Sequence, residues 1–324
     1  MILITGATGF LGTELAFQLL QTETKIRCAK REHSKIPLKL NPYANNIEWV
    51  NADILDLSDL AEAFKDVTKV FHCAALVSFE TDLKKKMLAV NAEGTANVVN
   101  LCIENNIEKL VHVSSIAAIG EAKGDELITE KNFWEGFENH DGYAVSKYRG
   151  EMEVWRGINE GLNAVIVNPS VIIGEDAGKE GSGAIFETIR NGFKYYTQGG
   201  TGFVDVKDVA KTMILLMTGD IVNERFILNS ENISYKDLFA KTAQIFGLPI
   251  PEKEAKPWML NMAWRLTALK NWITKSKGGL NKATANNASK MSAYSNDKIK
   301  SALNFDFIPL QESITKIANS LKSA

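Results

Sequence analysis

The chain opens on a short apolar run, "MILIT", and passes at once into "GFLGTELAFQLLQ", where Leu11, Leu15 and Leu19 recur at helical spacing. The same change of period repeats down the first half. "KIRCAK", "IEWVNAD", "KVFHCAA", "KLVHVSS" and "NAVIVNPS" read as further strands. Between them lie helical stretches: "SDLAEAFKD", with Ser58 as its expected N-cap, then "VNAEGTANVVNLCIENN" and "DGYAVSKYRGEMEVWRGIN". Strands apolar on both faces, alternating with amphipathic helices, predict a parallel sheet covered on both sides. Right-handed crossovers make the fold class α/β, a doubly wound parallel sheet.

After Pro169 the rhythm loosens. Residues 174–202 are glycine-rich and predict irregular chain. "FVDVKDVAKTMILLM" predicts a short strand feeding a helix, and "ERFILNS" one more strand. From residue 231 the pattern is mostly helical, with prolines at 249, 251 and 257 marking a connection. The expected organisation is a dinucleotide domain over 1–170, with return segments near 203–229, and a smaller, mostly helical substrate lobe over 171–324.

Composition narrows the partners. A formal net charge of −2, with 45% hydrophobic and 23% charged residues, suits a globular protein with a sizeable core. It offers no electrostatic reason to expect nucleic acid. Cys28, Cys73 and Cys102 fit neither a metal spacing nor a disulfide framework, so no metal and a reducing, cytoplasmic setting are expected. No signal-peptide pattern and no run of about 18 apolar residues occurs, so neither a leader nor a spanning helix is expected.

Two short stretches carry candidate chemistry. In "TGATGFLG", between the first strand and the first helix, Gly6, Gly9 and Gly12 recur at every third position. Such glycines permit a tight turn, close approach of a pyrophosphate and close helix packing, while the helix N-terminus offers N–H groups to phosphate. In "YAVSK", Tyr143 and Lys147 lie one helical turn apart on one face. A phenol ordinarily titrates near pH 10, and an ammonium beside it favours the phenolate, so a lowered Tyr143 value is expected. Tyr143 can then exchange a proton with an oxygen atom of a ligand. Ser115 ends the fifth strand, at the sheet edge where such folds bind ligands.

The glycine spacing resembles the extended branch of the short-chain dehydrogenase/reductase superfamily, and the likeness continues in order through "NADILD", "HCAA", "NAEGT", "VSSIAAIG", "YAVSK", "VNPSVIIG", "FVDVKDVA" and "AYSNDKIKSALNF". The resemblance implies a Rossmann fold, a nicotinamide cofactor, and Ser115, Tyr143 and Lys147 as the catalytic set, with Lys147 also on the nicotinamide ribose. It implies cofactor contacts at Gly6, Thr8, Gly9, Phe10, Leu11 and Gly12, at Asp53 and Ile54 by the adenine, and at Ala74 and Ala75 by the adenosine ribose. Pro169 and Val171 would flank the nicotinamide. Asn91 has two readings, ordering water or backbone near Lys147 or simply holding its helix. The second strand ends in Lys30-Arg31, and a guanidinium suits a ribose 2′-phosphate. NADP through Arg31 is therefore preferred, with NAD and two solvated cations as the alternative.

The substrate class is narrowed by two departures from related enzymes. Ile116-Ala117 stand after Ser115, where the dehydratases carry Asp-Glu, and "GTGFVDV" lacks the diphosphate-clamping Arg common in nucleotide-sugar enzymes. "VNPSVIIG" resembles the dihydroflavonol-4-reductase-like group. The expected function is hydride transfer to or from a carbonyl or alcohol of a small, rather apolar molecule. A nucleotide-sugar epimerase is the alternative, and a dinucleotide sensor without turnover a third. His72 and His112 read as packed strand residues, His140 as a loop residue, and Asp205 and Asp208 as helix caps or braces. "PWMLNMAWRLTALKNWITK", 257–275, reads as a helix packing on the small lobe or capping the pocket, or alternatively as a surface for a membrane or partner. Trp258, Met262, Leu266, Leu269 and Ile273 form its face, Trp264 and Trp272 widen it, and Lys270, Lys275, Lys277 and Lys282 follow. The resemblance also implies a possible homodimer.

Overall fold

The computed structural model describes residues 1–323 except 79, 123, 125, 137–140, 179–180, 275–284 and 286–287. Seven parallel strands make the main sheet, in the order β10-β6-β5-β4-β1-β2-β3. In chain order they are β1 Ile2–Thr5, β2 Ile26–Lys30, β3 Ile47–Asn51, β4 Lys69–His72, β5 Lys109–Val113, β6 Ala164–Pro169 and β10 Glu224–Leu228. The chain moves outward from β1 to β3, then restarts at β4 on the other side of β1. This reversal opens a crevice at the carboxyl ends of β1 and β4, where doubly wound sheets bind ligands.

Successive side chains of these strands enter different cores. Ile4, Val111 and Val165 pack with Leu15 of α1 (Phe10–Leu19) and Met213 of α7 (Val206–Thr218). Their neighbours Leu3, Leu110 and Ile166 pack with Leu60 of α2 (Leu57–Ala63), Val98 of α4 (Gly94–Glu104) and Val154 of α5 (Gly142–Asn159). The uninterrupted apolar runs follow directly from burial on both faces. α4 is preceded by α3 (Lys84–Leu88) and by one π-helical turn, Ala89–Glu93.

The remaining chain differs from expectation in three places and adds a segment the sequence pattern did not indicate. The cap of α2 is Asp56 rather than Ser58: its carboxylate accepts from the N–H groups of Ser58 and Asp59, so Ser58 lies inside the first turn. Residues 38–46 form a 3-10 segment. The stretch 174–202 is not wholly irregular, since it holds α6 (Gly183–Arg190) and β8 (Tyr195–Tyr196). The strand at β9 (Gly200–Asp205) stands outside the main sheet, between β7 (Val171–Ile173) and β11 (Glu231–Ser234). β7 runs parallel and β11 antiparallel to β9.

The C-terminal region is mostly helical, as the pattern predicted: α8 Tyr235–Phe246, α9 Pro257–Thr274, α10 Asp297–Leu303 and α11 Leu310–Ser323, with β12 (Lys253–Glu254) paired to β8. Asp205 caps α7, and Asp208 accepts from the Ile308 N–H at 2.6 Å, so both serve as the expected caps or braces. Among the described residues no helix is long and apolar enough to cross a membrane. On α9, Trp258, Met262 and Leu266 are 61%, 52% and 58% exposed. The expectation that this apolar face packs inward is therefore not met by these three side chains. The side chains of Leu269, Lys270, Trp272 and Ile273, and all of Lys275, Lys277 and Lys282, lie outside the described residues.

Candidate active site

The glycine turn is built for close approach. Gly6 sits at φ +72°, and a Cβ there would lie 2.6 Å from the Ala74 amide nitrogen. A Cβ on Gly12 would overlap the Gly6 carbonyl oxygen. Gly9 caps α1 and donates its N–H to that carbonyl at 3.0 Å. The first turn of α1, with its outward N–H groups, therefore stands over the end of β1. Ala74 meets it from the chain leaving β4, with Ala75 exposed beyond. Thr8 and Phe10 are half-buried and Leu11 is buried.

The other expected cofactor positions lie along the same sheet edge. Asp53 accepts the Leu55 N–H at 3.0 Å and fixes the turn after β3. Ile54 is buried against Gly94. Lys30 bonds the Asn51 side chain at 2.7 Å, whereas Arg31 is exposed. Pro169 is buried at the end of β6 and Val171 half-buried at the start of β7.

The structure brings Ser115, Tyr143 and Lys147 together. Asp141 caps α5 by accepting the Ala144 N–H at 2.8 Å, which starts the helix one turn before Lys147. Tyr143 is hydrogen-bonded to the Ser115 side chain. Lys147 is 3% exposed, and its Nζ donates to the Val113 carbonyl at 2.6 Å. Asn91 receives the Leu76 N–H at 2.7 Å and donates to the Leu76 carbonyl and Ser146 Oγ, each at 2.9 Å. It thus fastens the chain beyond β4 to α5 at the residue before Lys147.

Electrostatics correct one expectation. Burial pushes the Tyr143 phenol up; its bond to Ser115 opposes this, and the Asp141 charge adds to it. The expected lowering by Lys147 is not found: burial raises the phenol, and the ammonium is directed at the Val113 carbonyl. Burial also lowers Lys147 to about 8, against the opposing charge of Glu151.

The histidines are not part of this set. His72 bonds Thr5 Oγ1 at 2.7 Å and Thr95 Oγ1 at 3.0 Å, and burial lowers it to about 3. His112 packs against it with ring centroids 5.1 Å apart. His140 lies outside the described residues. One group was missed by sequence reasoning: Glu151, fully buried one turn beyond Lys147, with Ser114, Asn168 and Arg225 around it. Its signal was the extension of the Tyr143–Lys147 spacing by four more residues, and a lone Asn in the apolar run of β6.

A helix N-terminus over a glycine turn, facing a Ser–Tyr–Lys set across the same sheet edge, defines a nicotinamide-dependent enzyme of the Rossmann class. The profile of the NAD dependent epimerase/dehydratase family matches residues 2–228, and the chain belongs to that family, an extended short-chain dehydrogenase/reductase. It is 33% identical over 269 residues to "Putative dihydroflavonol 4-reductase" of Synechocystis sp., covering 81% of this chain and 77% of that protein. It is 27% identical over 263 residues to "Sterol demethylase protein B" of Methylococcus capsulatus, covering 80% and 78%. A UDP-glucose 4-epimerase of Thermus thermophilus, solved in complex with NAD, superposes with a TM-score of 0.78 over 100% of this chain and 99% of its own. At 18% identity it shows the fold alone.

Proposed function

We propose that the enzyme reduces a ketone or aldehyde on a small, rather apolar molecule, or runs the reverse oxidation. The observation that carries this reading is the Tyr143–Ser115 hydrogen bond with the buried Lys147 one turn behind it. A bound nicotinamide dinucleotide supplies or accepts the hydride. The residues fit such a group, since Gly6 and Gly12 leave no room for a Cβ beside the α1 N-terminus. Gly6, Thr8, Gly9, Phe10, Leu11 and Gly12 would hold its phosphates, Asp53, Ile54, Ala74 and Ala75 its adenosine, and Lys147, Pro169 and Val171 its nicotinamide end.

The chain's own part follows from where its protons are. Ser115 bonds the substrate oxygen and aligns it with Tyr143. Tyr143 gives its proton to that oxygen as it gains charge, and takes it back in oxidation. General acid catalysis of this kind contributes about 10²–10⁴-fold. The bond from Ser115 favours the phenolate left behind and so opposes the burial that holds the proton on.

An apolar substrate is supported by the sequence of β9, where Gly202 is followed directly by Phe203 and Gly200–Asp205 holds no arginine to clamp a phosphate. Ile116-Ala117 after Ser115 provide neither acid nor base for dehydration. The names of the two curated relatives, a dihydroflavonol 4-reductase and a sterol demethylase protein, agree with an apolar ligand. A screen of aromatic and alicyclic ketones and aldehydes by NADPH absorbance tests the reading. Tight binding of UDP-glucose by calorimetry, with no reductase activity, would reverse it in favour of the epimerase.

NADP is preferred because Lys30 is tied to Asn51 while Arg31 stays exposed at the end of β2. A lower Michaelis constant for NADH than for NADPH would sink that preference. Residues 1–170 with the return segments serve the cofactor and the rest serves the substrate. The three unpaired cysteines suit a reducing cytoplasm, and a homodimer would show as a doubled mass in light scattering.

A further inference from the structure

Below the Tyr143–Lys147 pair lies a buried carboxylate that the proposed reaction does not consume. Glu151 is 0% exposed and stands four residues after Lys147 on α5. Its Oε2 accepts from Ser114 Oγ at 2.6 Å and from Asn168 Nδ2 at 2.7 Å. Its Oε1 accepts from Arg225 Nη1 at 2.9 Å. Asn168 Nδ2 also donates to the Ser115 carbonyl at 2.9 Å, so one amide links the carboxylate to the backbone of the catalytic serine. Arg225, itself 7% exposed, donates onward to the carbonyls of Glu130 and Asn132 in the loop between β5 and α5.

A buried ion pair is poor evidence of stability, because desolvation offsets most of its Coulomb gain. The pair is therefore better explained by a second role, and its neighbours supply one. The groups facing Lys147 are Tyr143 and Glu151 on its own helix, His72 and Cys73 at the end of β4, and His112 of β5. Burial keeps both imidazoles neutral and pushes the Cys73 thiol up to about 12. Glu151 is the anion of the group.

We propose that Glu151 is a positioning residue, whose carboxylate balances the Lys147 ammonium, holds Ser115 in place through Asn168, and is locked by Arg225 to the loop at 130–132. This rests on the proposed hydride transfer for its catalytic meaning, but the charge balance stands without it. The arrangement couples the lysine's proton, the serine's backbone and the loop at 130–132.

The test reads Lys147 directly. The Lys147 ¹³Cε resonance, assigned by its loss in Lys147→Met, is titrated in the wild type, in Glu151→Gln, and in the double variant Glu151→Gln/Arg225→Met. The double variant removes both members of the Glu151–Arg225 pair, so Arg225 is not left buried without its partner, and it guards against a single variant that fails to fold. Removal of the carboxylate is expected to weaken proton binding by Lys147 about tenfold in either folded variant. On a substrate, kcat is expected to fall about tenfold, with the cofactor Michaelis constant within about twofold. Glu151→Asp, which keeps the charge, is expected to restore the titration but only part of kcat. Folded variants whose Lys147 titrates as in the wild type would overturn the proposal. If no carbonyl is turned over by the wild type, the proposed reaction fails while the titration still decides the role of Glu151.

Discussion

The face of α5 and the face of α9 have the same periodicity and opposite fates. On α5, Tyr143, Lys147 and Glu151 recur every four residues and all turn toward the sheet, where Ser115, Val113 and Asn168 receive them. On α9, Trp258, Met262 and Leu266 recur at the same interval and stay largely exposed. Spacing states which side chains share a face. It does not state what, if anything, arrives to cover it. α5 is covered because it is a crossover between two parallel strands and must lie on the sheet. α9 is no crossover, and no strand pairing places its face.

The difference is open to measurement. Leu15 of α1 is fully buried in the main core, and Leu15→Ala is expected to cost about 2–5 kcal/mol in denaturant unfolding. A loss under about 1 kcal/mol would mean that the sheet face is less well packed than described. Next comes the glycine turn. Gly6→Val places a Cβ against the Ala74 backbone at a positive φ, and nicotinamide dinucleotide affinity is expected to fall at least about 100-fold by fluorescence titration.

The pH response of Lys147 is a smaller effect with a definite sign. Burial lowers its value to about 8, so turnover in the reductive direction is expected to fall as pH rises through about 8 and the ammonium is lost. Stability has the opposite trend from this group. Between about 8 and the ordinary lysine range the unfolded chain holds the proton and the folded chain does not, so its contribution rises with pH there. Stopped-flow rates and urea midpoints across that window separate the two. The smallest effect is on α9: Leu266→Ala is expected to change stability by no more than about 0.5 kcal/mol, and a larger loss would show that its exposed face is covered in solution.

Much of the sheet was legible because one physical rule controls it. Burial on both faces demands uninterrupted apolar strands, and Ile4 with Leu3, or Val111 with Leu110, satisfy it on opposite sides. The layout of the candidate site was legible where motif and topology agree, which brings Gly6, Ser115, Tyr143 and Lys147 to one sheet edge. It was not legible where burial decides the outcome. The pull of Lys147 on Tyr143 was expected to dominate, but desolvation is the larger influence and depends on neighbours far apart in sequence. Glu151 was passed over for a similar reason. A carboxylate on an amphipathic helix reads as a wet residue until Arg225, 74 positions away, is seen to meet it. The cap of α2 was misplaced by two residues because Asp56 and Ser58 are both good caps, and only the backbone chooses between them.

The central claim is that Tyr143 carries the proton of the hydride-transfer step. Single-turnover oxidation of bound NADPH, with a carbonyl substrate identified by the absorbance screen, tests it most directly in Tyr143→Phe. The account predicts unchanged cofactor affinity and a rate about 10²–10⁴-fold lower. A Tyr143→Phe enzyme that turns over at the wild-type rate would contradict it.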